Sequence, residues 1–227
     1  MVDPPAVEKA FAAGVGGAVG FRVITFATLQ AYLHLVGLNG HAGGSYDELL
    51  TNALWLLVLG APVETLSVTC RWREGRWWSA RRVAFWPRLL VMAQAVVMYT
   101  STGLQKLSVH WVPGGDLLAL YYILQQPTWQ HRDLAWMAWV APLTQVGTLV
   151  SWAWEVTAPV WLVAGVVASG RWLRVRDAYL VVGVAFHLGV AALMDIGPFT
   201  WASLALYPAF LRPEEWERHA RVRQPLS

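Results

Sequence analysis

The chain has one cysteine in 227 residues, Cys70, which excludes an intramolecular disulfide and any cysteine-rich metal centre. Neither an HxxxH nor a CxxC pair occurs, so no metal is expected. P-loop, dinucleotide and serine-hydrolase fingerprints are also missing. The run "GVGGAVG" at 14–20 follows no strand and lies among apolar residues, so it reads as tight helix packing and not as a phosphate loop. Charge is scarce: Asp, Glu, Lys and Arg make up 14% of the chain, where soluble domains carry about 25%. The opening "MVDPPAVEKA" offers acids and prolines where a secretory signal peptide has a basic region. Strand-type alternation is absent, as are internal repeats and low-complexity linkers. The expectation is one all-α domain over residues 1–227.

What the chain does have is apolar length. Hydrophobic residues make up 56% of it, with a mean hydropathy of +0.42. Fifteen tryptophans suit long water–lipid boundaries, where the indole ring is dry and its N–H wet. A bilayer-crossing helix needs about 20 mostly apolar residues. Candidate spans are 11–38, 49–70, 89–109, 134–168, 178–196 and a shorter 199–211. The fourth is long enough to tilt or break, at Pro142 or Pro159. The predicted architecture is a polytopic transmembrane bundle of five or six helices, one of them proline-broken, with the lipid bilayer as its surroundings.

The basic pI of about 9.2 does not point to nucleic acid, because the arginines cluster in short segments between apolar runs. Arg71, Arg73, Arg76, Arg81, Arg82 and Arg88 form one cluster, Arg171, Arg174 and Arg176 a second, and Arg212, Arg218, Arg221 and Arg223 a third. Six helices with a cytoplasmic N-terminus put all three on the cytoplasmic side. The loops 39–48 and 110–133 are then expected to face outward, with Lys106 near the outer end of the third helix.

An ionisable group at membrane depth costs several kcal/mol unless paired or hydrated, so each is a functional candidate. Lys106 is either an anchor whose ammonium reaches water or a reactive amine. Tyr99, Gly103 and Lys106 are spaced i, i+4, i+7 and share one helix face. The glycine lets either a neighbouring helix or a ligand approach. A lysine acting as base must be neutral part of the time. With a reference pKa of about 10.4, a dry pocket must destabilise the charge by roughly 4 kcal/mol at neutral pH. Glu155 is either a buried carboxylate, protonated or paired with an arginine, or part of the chemistry. His187 is either a packing histidine or a ligand, and Asp195, before Gly197 and Pro198, is explained by a helix end. Arg22 and Glu64 are candidates for one structural ion pair.

Five motifs in order then carry a resemblance. Tyr99, Gly103, Lys106, Leu107, Trp111 and Gly114 resemble the central motif of the vitamin K-dependent gamma-glutamyl carboxylase family and its bacterial relatives, the horizontally transferred transmembrane (HTTM) proteins. "WEVTAP" is similar to the acidic helix position that follows in that family. "FHLGVAALMDIGPF" is similar to its F-H-(nine residues)-G-x-F signature, through Phe186, His187, Gly197 and Phe199. "LYPAFLRPEEWER" resembles its closing phrase, and upstream "NGHAGGSYDELL" is similar to its loop with an aspartate opening the next helix. The resemblance spans roughly residues 25–218.

The resemblance implies a role for each matching residue. Lys106 would be the base that deprotonates a quinol, menaquinol or vitamin K hydroquinone. Oxygen would convert the quinol to a stronger base that abstracts a proton from a peptide glutamate, and carbon dioxide would add to the carbanion. Tyr99, Gly103 and Trp111 would line the quinol pocket, with His41 nearby. His187 and Glu155 would shape the catalytic centre. The resemblance also marks a short form, lacking the family's first helices and the carboxylase's large lumenal portion. A partner membrane protein completing the bundle, a peptide or lipid-soluble substrate, or a purely non-catalytic scaffold role are the expectations that follow.

Overall fold

The computed structural model describes residues 4–38, 43–60, 67–77, 79, 81, 83–212 and 214–215, with side chains from Gly17 onward. Among them are nine α-helices, three short 3-10 turns and no strand; one isolated bridge joins Gln130 and Met194. The all-α expectation holds. The chain divides into two compact units, Met1–Leu90 and Val91–Ser227.

The first unit holds α1 (Pro4–Leu38), α2 (Ser45–Gly60) and α3 (Val68–Glu74). α1 packs on both of the others. At Gly17 a Cβ would lie 2.3 Å from the Thr69 hydroxyl, so the absence of a side chain sets how closely α1 and α3 approach. Arg22 donates to the Leu59 carbonyl at the end of α2 (3.3 Å), while Glu64 lies outside the described residues. Asp47, in the first turn of α2, accepts from the Gly44 amide (2.7 Å) and the Tyr32 hydroxyl, which pins the entry of that helix. α3 is short because both ends are written locally: the Ser67 hydroxyl caps the Cys70 amide, and Gly75 takes the left-handed conformation (φ 68°) that ends it.

The boundary falls within α4 (Trp86–Gln105), which leads into α5 (Ala119–Leu124), α6 (Ala141–Val156), α7 (Ala158–Val167), α8 (Arg171–Leu193) and α9 (Phe199–Leu204). α5 packs on α6, α6 on α7 and α8, α8 on α7 and α9. Between α4 and α5 the chain turns at 113–115, and Gly115 is obligatory there: a Cβ would sit 1.7 Å from the Val109 carbonyl oxygen.

Gly17–Leu38 and Arg171–Leu193 are long and apolar enough to cross a membrane. A third crossing exists if residues 135–156 and α7, bent by 55°, are one broken span. The described residues therefore supply two or three such helices, short of the expected five or six. α9 has six residues, so the segment 199–211 does not cross as a helix. α4 is 20 residues long, but Arg88, Gln94, Thr100, Ser101 and Thr102 dilute its hydropathy. The expected break in the long segment falls just before Pro159, whose missing N–H interrupts the ladder. At the bend the Thr157 carbonyl accepts from both the Val160 amide (2.9 Å) and the Tyr179 hydroxyl (2.8 Å), which ties α8 to the break. The basic segment 170–177, expected as a loop, is instead the start of α8. Only 11% of the first span and 17% of α8 is buried, leaving residues such as Ile24, Leu35 and Val181 exposed, as lipid-facing surfaces would be.

Candidate functional site

Two polar clusters lie along helix α4. Lys106 follows the last residue of α4, where its amide bonds back to the Gly103 carbonyl (3.2 Å). Its Nζ lies 2.6 Å from both carboxylate oxygens of Glu155. The Lys106 side chain is 17% exposed and that of Glu155 4%, so the pair is nearly dry. The ammonium also stands 4.4 Å from the Trp111 ring centre, over its face, where a cation is attracted by the ring quadrupole. Lys106 is thus neither a free anchor nor a free amine. Glu155 is paired with it, not with an arginine.

Gly103 makes this pairing possible. A Cβ there would lie 2.8 Å from both the Glu155 Cβ and the Val156 amide nitrogen. Of the two partners open to that glycine, the structure supplies a helix: α6 approaches α4 at this point. Gly103→Val is expected to force the helices apart and to cost about 1–3 kcal/mol by overpacking. Lower thermal stability in detergent, with the loss reduced in Gly103→Ala, would bear this out. An unchanged melting temperature for both variants would refute the close approach.

The second cluster lies two turns back along α4. The Tyr99 hydroxyl is 2.7 Å from His187 Nε2 and 3.0 Å from the Tyr207 hydroxyl. Tyr99, His187 and Tyr207 are each at most 5% exposed, and aromatic rings enclose them. Trp154 packs on Tyr99 with ring centres 4.4 Å apart, and Phe186 and Phe199 flank His187 at 5.2 and 5.5 Å. Trp161 stacks on Phe210 at 3.7 Å and meets Tyr207 edge-on at 5.1 Å. His187 Nδ1 has no partner among the described residues.

Of the predicted site residues, Lys106, Glu155, Gly103 and Trp111 come together, and Tyr99 and His187 form the adjoining cluster. His41 lies outside the described residues. Asp195 sits in the turn after α8, where its carboxylate accepts from the Gly197 amide (3.4 Å), as its helix-end reading implies. Among the described residues no group of three metal-ligating side chains occurs. Tyr207 was not singled out by the sequence. It sits in the closing phrase "LYPAFLRPEEWER", but nothing local ties it to Tyr99, 108 residues away.

This arrangement runs through the region that an HTTM domain model matches, residues 9–216. The chain belongs to the HTTM family. No curated protein and no solved structure matches it. This HTTM chain also carries an apolar groove of about 390 Å³ between α5, α6 and α8. Trp154 and Phe186 form part of its wall, with Leu120, Val150 and Leu193, while Lys106, Tyr99 and His187 do not line it. The two aromatic rings stand between the groove and the Tyr99–His187 pair. Ser151 also lines the groove, 4% exposed, and its hydroxyl is unpartnered among the described residues.

Proposed function

We propose that this HTTM protein is a membrane enzyme that uses a quinol and takes its proton with the Lys106–Glu155 pair, in carboxylation or related proton-abstraction chemistry. The observation that carries the reading is the pair itself, a lysine and a glutamate held in a nearly dry site beside an aromatic face. Held as an ion pair, Lys106 is an acid. Its amine becomes available as a base when the proton resides on Glu155, and in a dry site the ionic and neutral forms of such a pair lie closer in energy than in water. Glu155 is then the proton store and Lys106 the group that meets the quinol hydroxyl.

On α6, the helix that carries Glu155, the side chains of the groove suit the apolar part of a lipid-soluble ligand. An apolar groove of about 390 Å³ falls in the size range of ligand pockets. Among the described residues the Ser151 hydroxyl within it is unpartnered, a hydrogen-bonding group open to a ligand. A bound quinol would supply, on reaction with oxygen, the strong base for C–H abstraction, with carbon dioxide adding to the carbanion and a quinone epoxide released. A five-helix count, a bacterial inner membrane with the loop arginines on its cytoplasmic side and a partner that completes the bundle belong to the same proposal.

The second reading, a non-catalytic membrane scaffold, draws on the same pair: Glu155 already satisfies Lys106. Anaerobic quinol binding to wild type and Lys106→Ala, followed by an oxygen pulse, separates the two. Quinone epoxide from the wild type alone supports the enzyme. Absence of quinol binding by either protein leaves the scaffold.

A further inference from the structure

We propose that the groove between α5, α6 and α8 seats a single lipid chain drawn from the bilayer, with an uncharged oxygen of that chain held by the Ser151 hydroxyl. Three features of the groove select this occupant. Its lining has no charged side chain and is apolar almost throughout, so an ammonium, a phosphate or a carboxylate finds no partner inside it. It is long: on α8 the lining runs from Val181 to Leu193, about 18 Å at a rise of 1.5 Å per residue. It also opens sideways. Val150 on its α6 wall and Val181 on its α8 wall are both exposed. Val181, Val184 and Leu188, at i, i+3 and i+7, form one exposed apolar stripe on α8, a helix long and apolar enough to cross a membrane. The occupant therefore enters from hydrocarbon and not from water.

Ser151 makes the ligand more than a hydrocarbon. It is 4% exposed, lines the groove, and its hydroxyl has no hydrogen-bond partner among the described residues. A hydroxyl within a helix can settle its proton on the carbonyl one turn back, as Thr148 does on Thr144 of the same helix (2.8 Å). Ser151 makes no such bond, which leaves a buried donor for an oxygen in the groove.

Depth fixes which oxygen that is. Residues 135–167, taken as one broken span, have Ser151 as their middle residue. Its hydroxyl then lies near the bilayer midplane, roughly 15 Å from either interface. The ester and headgroup oxygens of a phospholipid stay at the interface and do not reach it. A hydroxyl or ketone in the middle of a chain does. This deepens the reading of the groove as the seat of a lipid-soluble ligand and names the class. Neither Lys106 nor Glu155 lines the groove, so the seat stands or falls apart from the quinol chemistry.

Native mass spectrometry of the full chain in detergent tests the seat, with an equimolar mixture of stearate and mid-chain hydroxystearate. Their carboxylates remain at the detergent–water boundary, and both ligands are read in one spectrum. The wild type is expected to hold one chain and to favour hydroxystearate by about threefold to tenfold, the worth of one net hydrogen bond. Ser151→Ala should bring that ratio to about one while chain binding persists. Gly189 lines the α8 wall, and a Cβ there would meet no atom within 4 Å. Gly189→Leu should therefore fill the groove and remove both ligands without lowering the melting temperature, since glycine weakens a helix interior. No chain on the wild type overturns the proposal, as does undiminished binding in Gly189→Leu. A hydroxyl preference absent from the wild type, or surviving in Ser151→Ala, overturns it equally. Should Gly189→Leu not fold, the Ser151→Ala ratio, which rests on the loss of one oxygen atom, decides alone. Neither quinol nor an oxygen pulse is used, so absence of quinone epoxide would remove the proposed enzyme and leave the chain seat standing.

Discussion

Glu155→Leu is expected to destabilise the protein more than the double change Lys106→Met with Glu155→Leu. The single change leaves an ammonium in a site where only 17% of the lysine side chain reaches solvent. Removing one partner of a buried pair costs about 3–5 kcal/mol, because the remaining charge is left uncompensated. Lys106 follows the end of α4 and can turn part of its stem outward, which places the expected loss near the lower figure. The Trp111 face offsets some of it, by about 0.5–2 kcal/mol for a cation over an aromatic ring. Replacing both charges with apolar residues of similar size removes the charge and its desolvation together, and such exchanges are often neutral. Chemical or thermal unfolding of the four proteins in one detergent gives the coupling directly. A double variant that loses as much as the two single variants combined would mean that the charges do not interact, and the pair would lose its place at the centre of the site.

The half of the site that was legible from the sequence is the half built from helix periodicity. Tyr99, Gly103 and Lys106 share a face because the helix repeats every 3.6 residues, and α4 presents them as expected. Whether Gly103 admits a ligand or a helix could not be read from one strand of sequence. It depends on α6, whose Glu155 lies 49 residues from Lys106. Tyr207 is a harder case. Its hydroxyl meets Tyr99 beside the hollow left by Gly183, and no local pattern encodes that hollow. The span count shows the opposite limit. Mean hydropathy sees apolar runs but not the helix stops within them, so a six-residue helix and a 3-10 turn at 199–211 looked like a short crossing. Arginine-rich 170–177 looked like a loop because its charges have no partner nearby in sequence other than Asp177. The decisive one, Glu215, is 39 residues from Arg176.

That remote partner makes Glu215→Gln the second large effect expected. The Arg176 guanidinium is all but buried and meets both Glu215 oxygens at 2.8 Å, a two-point contact that ties the start of α8 to the closing phrase. Glu215 also accepts from the Arg212 amide at 2.7 Å. Glutamine keeps the shape but offers one acceptor and no charge, leaving Arg176 with Asp177, which is more than half exposed. Because Asp177 remains, the expected cost is about 2–3 kcal/mol, below the full penalty for stranding a buried cation. The pH dependence gives a second handle. Hydrogen bonding from Arg176 holds the Glu215 carboxyl down to about 2 in the folded protein, where an unfolded glutamate titrates near 4.3. A depressed folded value means that the stabilisation is fully present above the unfolded value and is lost as pH falls from about 4 toward 2. Wild type and Glu215→Gln should therefore differ by a constant margin from neutral pH down to about 5, and their stability curves should converge below about 4. Other carboxylates titrate in the same window but in both proteins, so the difference between the curves isolates this one. Curves that stay parallel down to pH 2.5 would show that Glu215 contributes through shape alone, and the clamp between α8 and the closing phrase would not be electrostatic.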